Sequence, residues 1–246
     1  MHRALRRSFD ACLWALLPGH CVLCDQPSDR RADLCRECRD ALPWLGPACE
    51  RCGLPSNTPC CDECFRRPPP HDRAVVPLRY DEPLIRMIHR VKFGGSRVDA
   101  RILGALLADH VLVAYANVPR PDAIVPVPLS RARLWRRGHN QAALLAHRLG
   151  VALRVAVRYD ACRRIRHTPP QAGLSRAARL RNLAGAFEVV ETFEGRRVAI
   201  VDDVMTTGST VAELARALAS AGALSVDVWC VARTVPSTHS AARTRC

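Results

Sequence analysis

From residue 72 onward, apolar and polar positions follow two alternating periods. Ala74 to Tyr80 reads as a β-like run, whereas Pro83 to Phe93 puts Leu84, Met87, Ile88 and Val91 on one face of a helix. Gly94-Gly95 stops that helix, and Asp99 to Tyr115 predicts another. Asp122-Ala123-Ile124-Val125-Pro126-Val127-Pro128 is a short apolar strand halted by prolines, and His139 to Leu149 is helical. After a basic loop, Phe187-Glu188-Val189-Val190 and Arg197-Val198-Ala199-Ile200-Val201 read as strands. Ser209 to Ser220 reads as a helix closed by Gly222, and Ser225 to Ala232 as the last strand. Strands alternating with helices predict an α/β domain over 72–236, an open and mostly parallel sheet with helices on both faces.

The first 71 residues carry no such pattern; cysteines organise them instead. Cys21-x-x-Cys24 with Cys35-x-x-Cys38, and Cys49-x-x-Cys52 with Cys61-x-x-Cys64, form two pairs of knuckles. A two-residue gap lets both thiolates reach one Zn²⁺, and two knuckles complete a tetrahedron. Gly53 and Pro55 supply the turn chemistry such a ribbon uses. Four sulfurs leave no position for a catalytic water, so both zinc ions are expected to be structural, in a ribbon module at 19–66. Cys60 could replace Cys61, His20 could ligate, and the pairing could interleave. Cys12, Cys162, Cys230 and Cys246 lack partners at ligand spacing. Residues 1–18 read as an amphipathic helix rather than an export signal, because Ala11 to Leu17 is short, Arg7 and Asp10 sit against it, and no small-residue cleavage site follows. No apolar run approaches the ~20 residues of a membrane span. A cytoplasmic protein is the expectation, with a flexible tail at 237–246.

At 48% hydrophobic and 24% charged residues the chain is an ordinary globular one, which excludes a disordered class. Its net charge of +14 is concentrated: residues 130–182 hold 13 arginines against Asp160 alone. Such a stretch suits a polyanion, either a phosphorylated small molecule or nucleic acid. Lys92 is the single lysine among 37 basic side chains, a hint that a guanidinium does not suit its place.

The sharpest chemistry closes the Arg197–Val201 strand. Asp202-Asp203-Val204-Met205-Thr206-Thr207-Gly208-Ser209-Thr210 leads directly into a helix. Two carboxylates then stand at the carboxyl end of a buried strand, where open α/β sheets bind ligands. The hydroxyl-rich turn sits at a helix N-terminus, where free N–H groups favour phosphate. No lysine follows the glycine, so this is not a Walker A loop. Carboxylates for sugar hydroxyls or metal beside a nest for a monophosphate describe a ribose 5-phosphate site.

These residues resemble the phosphoribosyl pyrophosphate (PRPP) motif of type I phosphoribosyltransferases. With a cysteine ribbon in front, the chain is similar to the ComF family. Val125-Pro126-Val127-Pro128-Leu129-Ser130, Arg137-Gly138-His139-Asn140-Gln141, Arg166-His167-Thr168-Pro169-Pro170-Gln171 with Leu174-Ser175 and Arg181-Asn182, and Lys92-Phe93 carry the likeness. His139 departs from it, standing where the family usually has Phe. The resemblance implies a type I phosphoribosyltransferase-like fold in which Asp202 and Asp203 hold ribose hydroxyls and Thr206, Thr207, Gly208, Ser209 and Thr210 cradle the 5-phosphate. The Pro126–Ser130 turn, with Val127 and Pro128, would approach the pyrophosphate with Mg²⁺ and Lys92 would also bind PRPP, while Arg137 and Arg166 would stabilise the pyrophosphate as it leaves. No residue stands out as a general base, so the acceptor is expected to supply its own nucleophile. The resemblance further implies a role with single-stranded DNA during uptake, beside an ATP-driven DNA translocase. A catalytically silent PRPP sensor, or an accessory module for nucleic acid or protein, is the alternative. Only Trp135 and Tyr159 are aromatic in the basic stretch, so nucleic-acid affinity is expected to be mainly electrostatic.

Overall fold

The computed structural model of this protein describes residues 19–28, 33–165 and 185–236. The chain divides into two compact units, Met1–Leu42 and Pro43–Cys246. In the smaller one, a tight turn at Cys21–Asp25 is closed by the Asp25 N–H donating to the Cys21 carbonyl at 2.9 Å. A single helical turn, α1 (Arg36–Asp40), is capped by the Cys35 thiol, which accepts from the Cys38 N–H. The second knuckle pair, with α2 (Asp62–Arg66), belongs to the larger unit, so the cysteine module read as one piece is shared between the two.

A parallel sheet organises the larger unit. Its edge is a strand broken into β1 (Arg73–Val75) and β2 (Leu78–Arg79). Pro77 has no N–H for the ladder, and its carbonyl instead takes the N–H of Leu45. Next follow α3 (Leu84–Gly94), α4 (Arg97–Ala114), β3 (Ala123–Pro126), α5 (Arg131–Arg137), α6 (Gln141–Leu153) and β4 (Ala156–Val157). A separate antiparallel pair, β5 (Cys162–Arg164) and β6 (Phe187–Val189), precedes β7 (Arg197–Met205), α7 (Ser209–Ser220) and β8 (Ser225–Arg233). The main sheet runs β1–β8–β7–β3–β4, with β2 also on β8, and every pairing in it is parallel.

Both faces are covered. Val198, Ile200, Val226 and Val228 share a core with Val211, Leu214 and Leu218 of α7. Helices α4 and α6 pack on each other and on the sheet, and α4 ends in Tyr115, whose ring meets buried Trp229 edge-on. Arg90 of α3 grips the buried Asp99 carboxylate of α4 through two bonds of 2.8 and 2.7 Å. That pair fixes the angle between the two helices, and with it the position of Lys92. The α/β reading therefore holds, and the elements it names all occur.

Candidate functional site

The order in which strands are added to the sheet reverses between β3 and β7. After β3 the chain crosses to β4 on one side, and after β7 it crosses to β8 on the other. Such a switch point opens a crevice at the carboxyl ends of the two strands. Pro126 is in register with Val201, and the Val127 N–H donates to the Val201 carbonyl at 2.9 Å. Asn140 braces the same turn: its Nδ2 donates to the Val127 carbonyl at 3.1 Å while its Oδ1 caps α6 through the Ala142 N–H. Val127 and Pro128 thus follow directly on the residue paired with Val201, the neighbour of Asp202 and Asp203 in β7.

Strand β7 does not stop at Val201 but carries both carboxylates inside it, with Asp202 in register with Cys230. Asp203 is buried, and its Oδ2 lies 2.8 Å from the Lys92 Nζ. Its N–H donates to Asp202 Oδ1 at 2.9 Å. Burial, and then the neighbouring charge of Asp203, push the Asp202 carboxyl well above its usual range. Burial would by itself lower the Lys92 ammonium, but Asp203 and Asp202 outweigh it and raise its pKa. Two adjacent carboxylates facing one lysine retain an unmet demand for hydroxyl donors or a cation.

Arg137 comes to the same place. Its guanidinium lies 5.2 Å from the Phe93 ring centroid and donates to Gln141 Oε1 at 3.0 Å. Burial lowers its pKa while the charge of Asp203 opposes that. Arg164, at the end of β5, is likewise lowered by burial and is close enough to Asp202 to feel its charge. Arg164 has no separate signal in the sequence, because it sits in a run of arginines, Arg163, Arg164 and Arg166. Arg166 lies outside the described residues. His139 has a defined use: its Nε2 is 2.7 Å from the Val91 carbonyl and its Nδ1 2.8 Å from that of Arg137. It ties the helix bearing Lys92 to the turn bearing Arg137, a polar bridge that a phenyl ring cannot make.

Beyond Met205 the chain turns through Thr206, Thr207 and Gly208 into α7. Gly208 has φ +77°, the left-handed region, and a Cβ there would meet nothing closer than the Met205 sulfur at 3.7 Å. Conformation, not crowding, calls for glycine. Thr207 Oγ1 and Ser209 Oγ are 2.8 Å apart, and the first N–H groups of α7, including that of Thr210, have no partner within the helix. The loop's carbonyl side is held by a residue the sequence reading passed over. Arg233, buried at the end of β8, donates to the carbonyls of Met205 at 2.7 Å, of Thr206, and of Thr234 at 3.1 Å. Its Nε also donates to the Cys52 carbonyl at 2.9 Å. A lone arginine closing a β-run carries no sequence signal for this role.

Cys21, Cys24, Cys35 and Cys38 form one tetrad and Cys49, Cys52, Cys61 and Cys64 the other, with ligand atoms within 4.8 Å of one another. The Cys24–Cys35 and Cys52–Cys61 sulfur distances are 3.7 and 3.8 Å. A tetrahedral ion with Zn–S near ~2.3 Å requires edges of about 3.8 Å. Burial opposes ionisation of Cys21, yet backbone N–H groups of Cys35, Leu23 and Cys24 bring it down to about 6. Cys49 is brought to about 7 in the same way, and burial followed by the charge of Cys49 pushes Cys52 up to about 11. Mutual repulsion of this kind is what a divalent ion relieves, so both donor sets fit structural zinc. The pairing is sequential, Cys61 rather than Cys60 completes the second set, and His20 bonds to Asp25 outside the first. The second ribbon is fixed to the sheet: the Ala74 N–H donates to the Glu50 carbonyl at 2.6 Å and His71 Nε2–H to that of Arg51 at 2.7 Å. Between it and the Thr206–Ser209 loop lies a cavity of about 580 Å³, lined also by Pro68–Pro70, Leu54 and Ala212. No helix among the described residues is long and apolar enough to cross a membrane.

Residues 12–66 match the model of a double zinc ribbon domain, and residues 135–243 that of a phosphoribosyl transferase domain. The DNA utilization protein YhgH of Salmonella typhi is 41% identical over 224 residues, spanning 89% of this chain and 99% of its own length. Competence protein F of Haemophilus influenzae is 38% identical, over 81% of this chain and 90% of that protein. Among solved structures, the purine phosphoribosyltransferase of Pyrococcus horikoshii Ot3 gives a TM-score of 0.34 at 17% identity, over 67% of this chain and 83% of that one. The first two likenesses run through ribbon and sheet alike, in the same order and nearly end to end, and this chain belongs to the ComF family.

Proposed function

We propose that the crevice between β3 and β7 binds PRPP, or a closely related ribose 5-phosphate, together with Mg²⁺, and that the protein serves in handling single-stranded DNA. One observation carries the first part. A buried strand presents Asp202 and Asp203 beside Lys92 and runs directly into a glycine-containing turn at a helix N-terminus. The carboxylates suit the two ribose hydroxyls, which donate to them, and the N–H groups and hydroxyls from Thr206 to Thr210 suit the 5-phosphate. The turn at Val127-Pro128 suits the pyrophosphate. Mg²⁺ binds through one or two carboxylates plus substrate phosphates, and the aspartates are the carboxylates in place. When transfer occurs, the C1–O bond to pyrophosphate breaks as the acceptor's lone pair forms the new bond. The positive charge of Arg137 and Arg164, joined by Arg166 on the strength of the family resemblance, offsets the charge that builds on the leaving group.

The DNA part rests on the printed names of the relatives, which concern DNA utilization and competence, and on the concentration of arginine between residues 130 and 182. Calorimetric titration with PRPP and MgCl₂ tests the site. Wild type should bind saturably, and Asp202→Asn/Asp203→Asn should lose the signal while keeping its melting transition. Absence of binding by folded, zinc-loaded wild type would overturn the reading. Pyrophosphate release on presenting nucleobases or amines would establish transfer, and binding without release would establish a sensing role.

A further inference from the structure

Helix α5, like the single turn α1, has no buried residue. Seven residues, Arg131 to Arg137, contain four arginines and no acid, and make no ion pair among the described residues. Trp135 stands on it 91% exposed, the most exposed large apolar side chain described. Burying a tryptophan is strongly favourable, so a helix that leaves one in water is not held in place by its own core. Arg131 precedes Trp135 by one turn and shares its face. At the helix's end Arg137 reaches Phe93, whose ring is 62% exposed, and through it the carboxylate crevice.

We propose that α5 is a docking surface for single-stranded nucleic acid, with Trp135 as a base-stacking platform and Arg131 and Arg136 as phosphate contacts. The inference rests on the DNA part of the function proposed above and gives it a location. Charge complementarity decides the occupant. A protein interface surrounds its tryptophans with apolar neighbours and is depleted of charge at its centre. Here the indole shares a seven-residue helix with four arginines and no acid, the combination of ring and cation that follows a strand of unstacked bases. A duplex keeps its bases stacked on each other and offers no face to the ring. The paucity of aromatics in the basic stretch is therefore less limiting than the sequence suggests, since Phe93, remote in sequence, is held beside Arg137.

The test is fluorescence anisotropy of a labelled 15-nucleotide oligothymidylate with full-length, zinc-loaded protein, beside intrinsic tryptophan quenching. Trp135 is exposed, so its substitution spares the fold. Trp135→Ala should weaken binding about fivefold to 100-fold and remove the quenching, whereas Trp135→Phe should keep most of the affinity. Arg131→Gln/Arg136→Gln should reduce the slope of log K against log salt by about 1.4. Ribose 5-phosphate affinity should stay unchanged in all three variants. Equal oligonucleotide affinity in wild type and Trp135→Ala would overturn the proposal and leave DNA binding to another surface. No saturable binding by wild type would overturn it together with the DNA reading, leaving the PRPP reading untouched. Concentration-dependent self-association that vanishes in Trp135→Ala would overturn it in favour of a second copy covering the helix.

Discussion

Lys92 shows how much one side chain can be asked to do. Its Nζ, 2.8 Å from Asp203, is a direct counter-charge for a buried carboxylate that also has Asp202 beside it. The solitary lysine of an arginine-rich chain stands out in the sequence, and the structure gives it a use: a point charge on a flexible stem reaches the buried Asp203 carboxylate. Lys92→Met should strand Asp203 without its partner and destabilise the larger unit by about 3 kcal/mol. Lys92→Met/Asp203→Asn should recover most of that loss, because it removes both charges. Chemical denaturation of the two single variants and the double variant gives the coupling energy directly. Additive losses would mean that solvent, not the ion pair, satisfies Asp203. The same scale marks a limit of sequence reading. Arg233 touches four carbonyls from three segments and Asn140 braces the turn at Val127, yet neither role has a local pattern, because Cys52, Met205, Thr206 and Val127 all lie beyond the reach of a local sequence pattern.

At the level of elements, legibility follows burial. Helices α3, α4, α6 and α7 each bury a stripe of apolar residues, and the periodicity announced all four. Helix α5 buries nothing and β4 has only two residues, so neither leaves a periodic trace. Strand β7 runs four residues beyond its apolar stretch because β8 continues to pair with it past Asp202 and Asp203, a tertiary cause invisible locally. The second ribbon was legible as a metal site but not as part of the sheet's framework. Its attachment yields a pH prediction. His71 is buried, its Nε2–H donates to the Arg51 carbonyl, and burial depresses its pKa below the usual 6.5. Above that value neither folded nor unfolded His71 is charged, so its contribution is flat. Below it the unfolded chain takes up a proton that the folded chain resists, and stability falls as pH drops towards the depressed folded value. His71→Phe loses one hydrogen bond, about 1 kcal/mol at pH 7.5, and the gap between variant and wild type should narrow as pH falls from 6.5 to 5. A gap constant across that range would show that His71 does not titrate on unfolding.

For the whole molecule, the consequence is that its two cysteine tetrads are not equivalent. The first lies in the unit Met1–Leu42. The second is bonded into the sheet through Glu50 and Arg51, and through the Cys52 carbonyl to Arg233, which also holds Met205 and Thr206. Loss of zinc from the second tetrad should free Cys52, loosen Arg233 and let the Thr206–Ser209 turn relax, whereas the first tetrad makes none of these bonds. Cys64→Ser should therefore lower ribose 5-phosphate affinity about tenfold, the scale of one or two hydrogen bonds held out of place. Inorganic pyrophosphate, which under the proposed function uses the Val127-Pro128 turn instead, should bind as in wild type. Cys24→Ser should change neither affinity while releasing one zinc per chain. Calorimetry with the two ligands, alongside metal analysis of each variant, separates positioning from general unfolding, because unfolding would abolish both affinities together. Equal ribose 5-phosphate binding in the two cysteine variants would show that the ribbon merely borders the phosphate turn and does not set its shape.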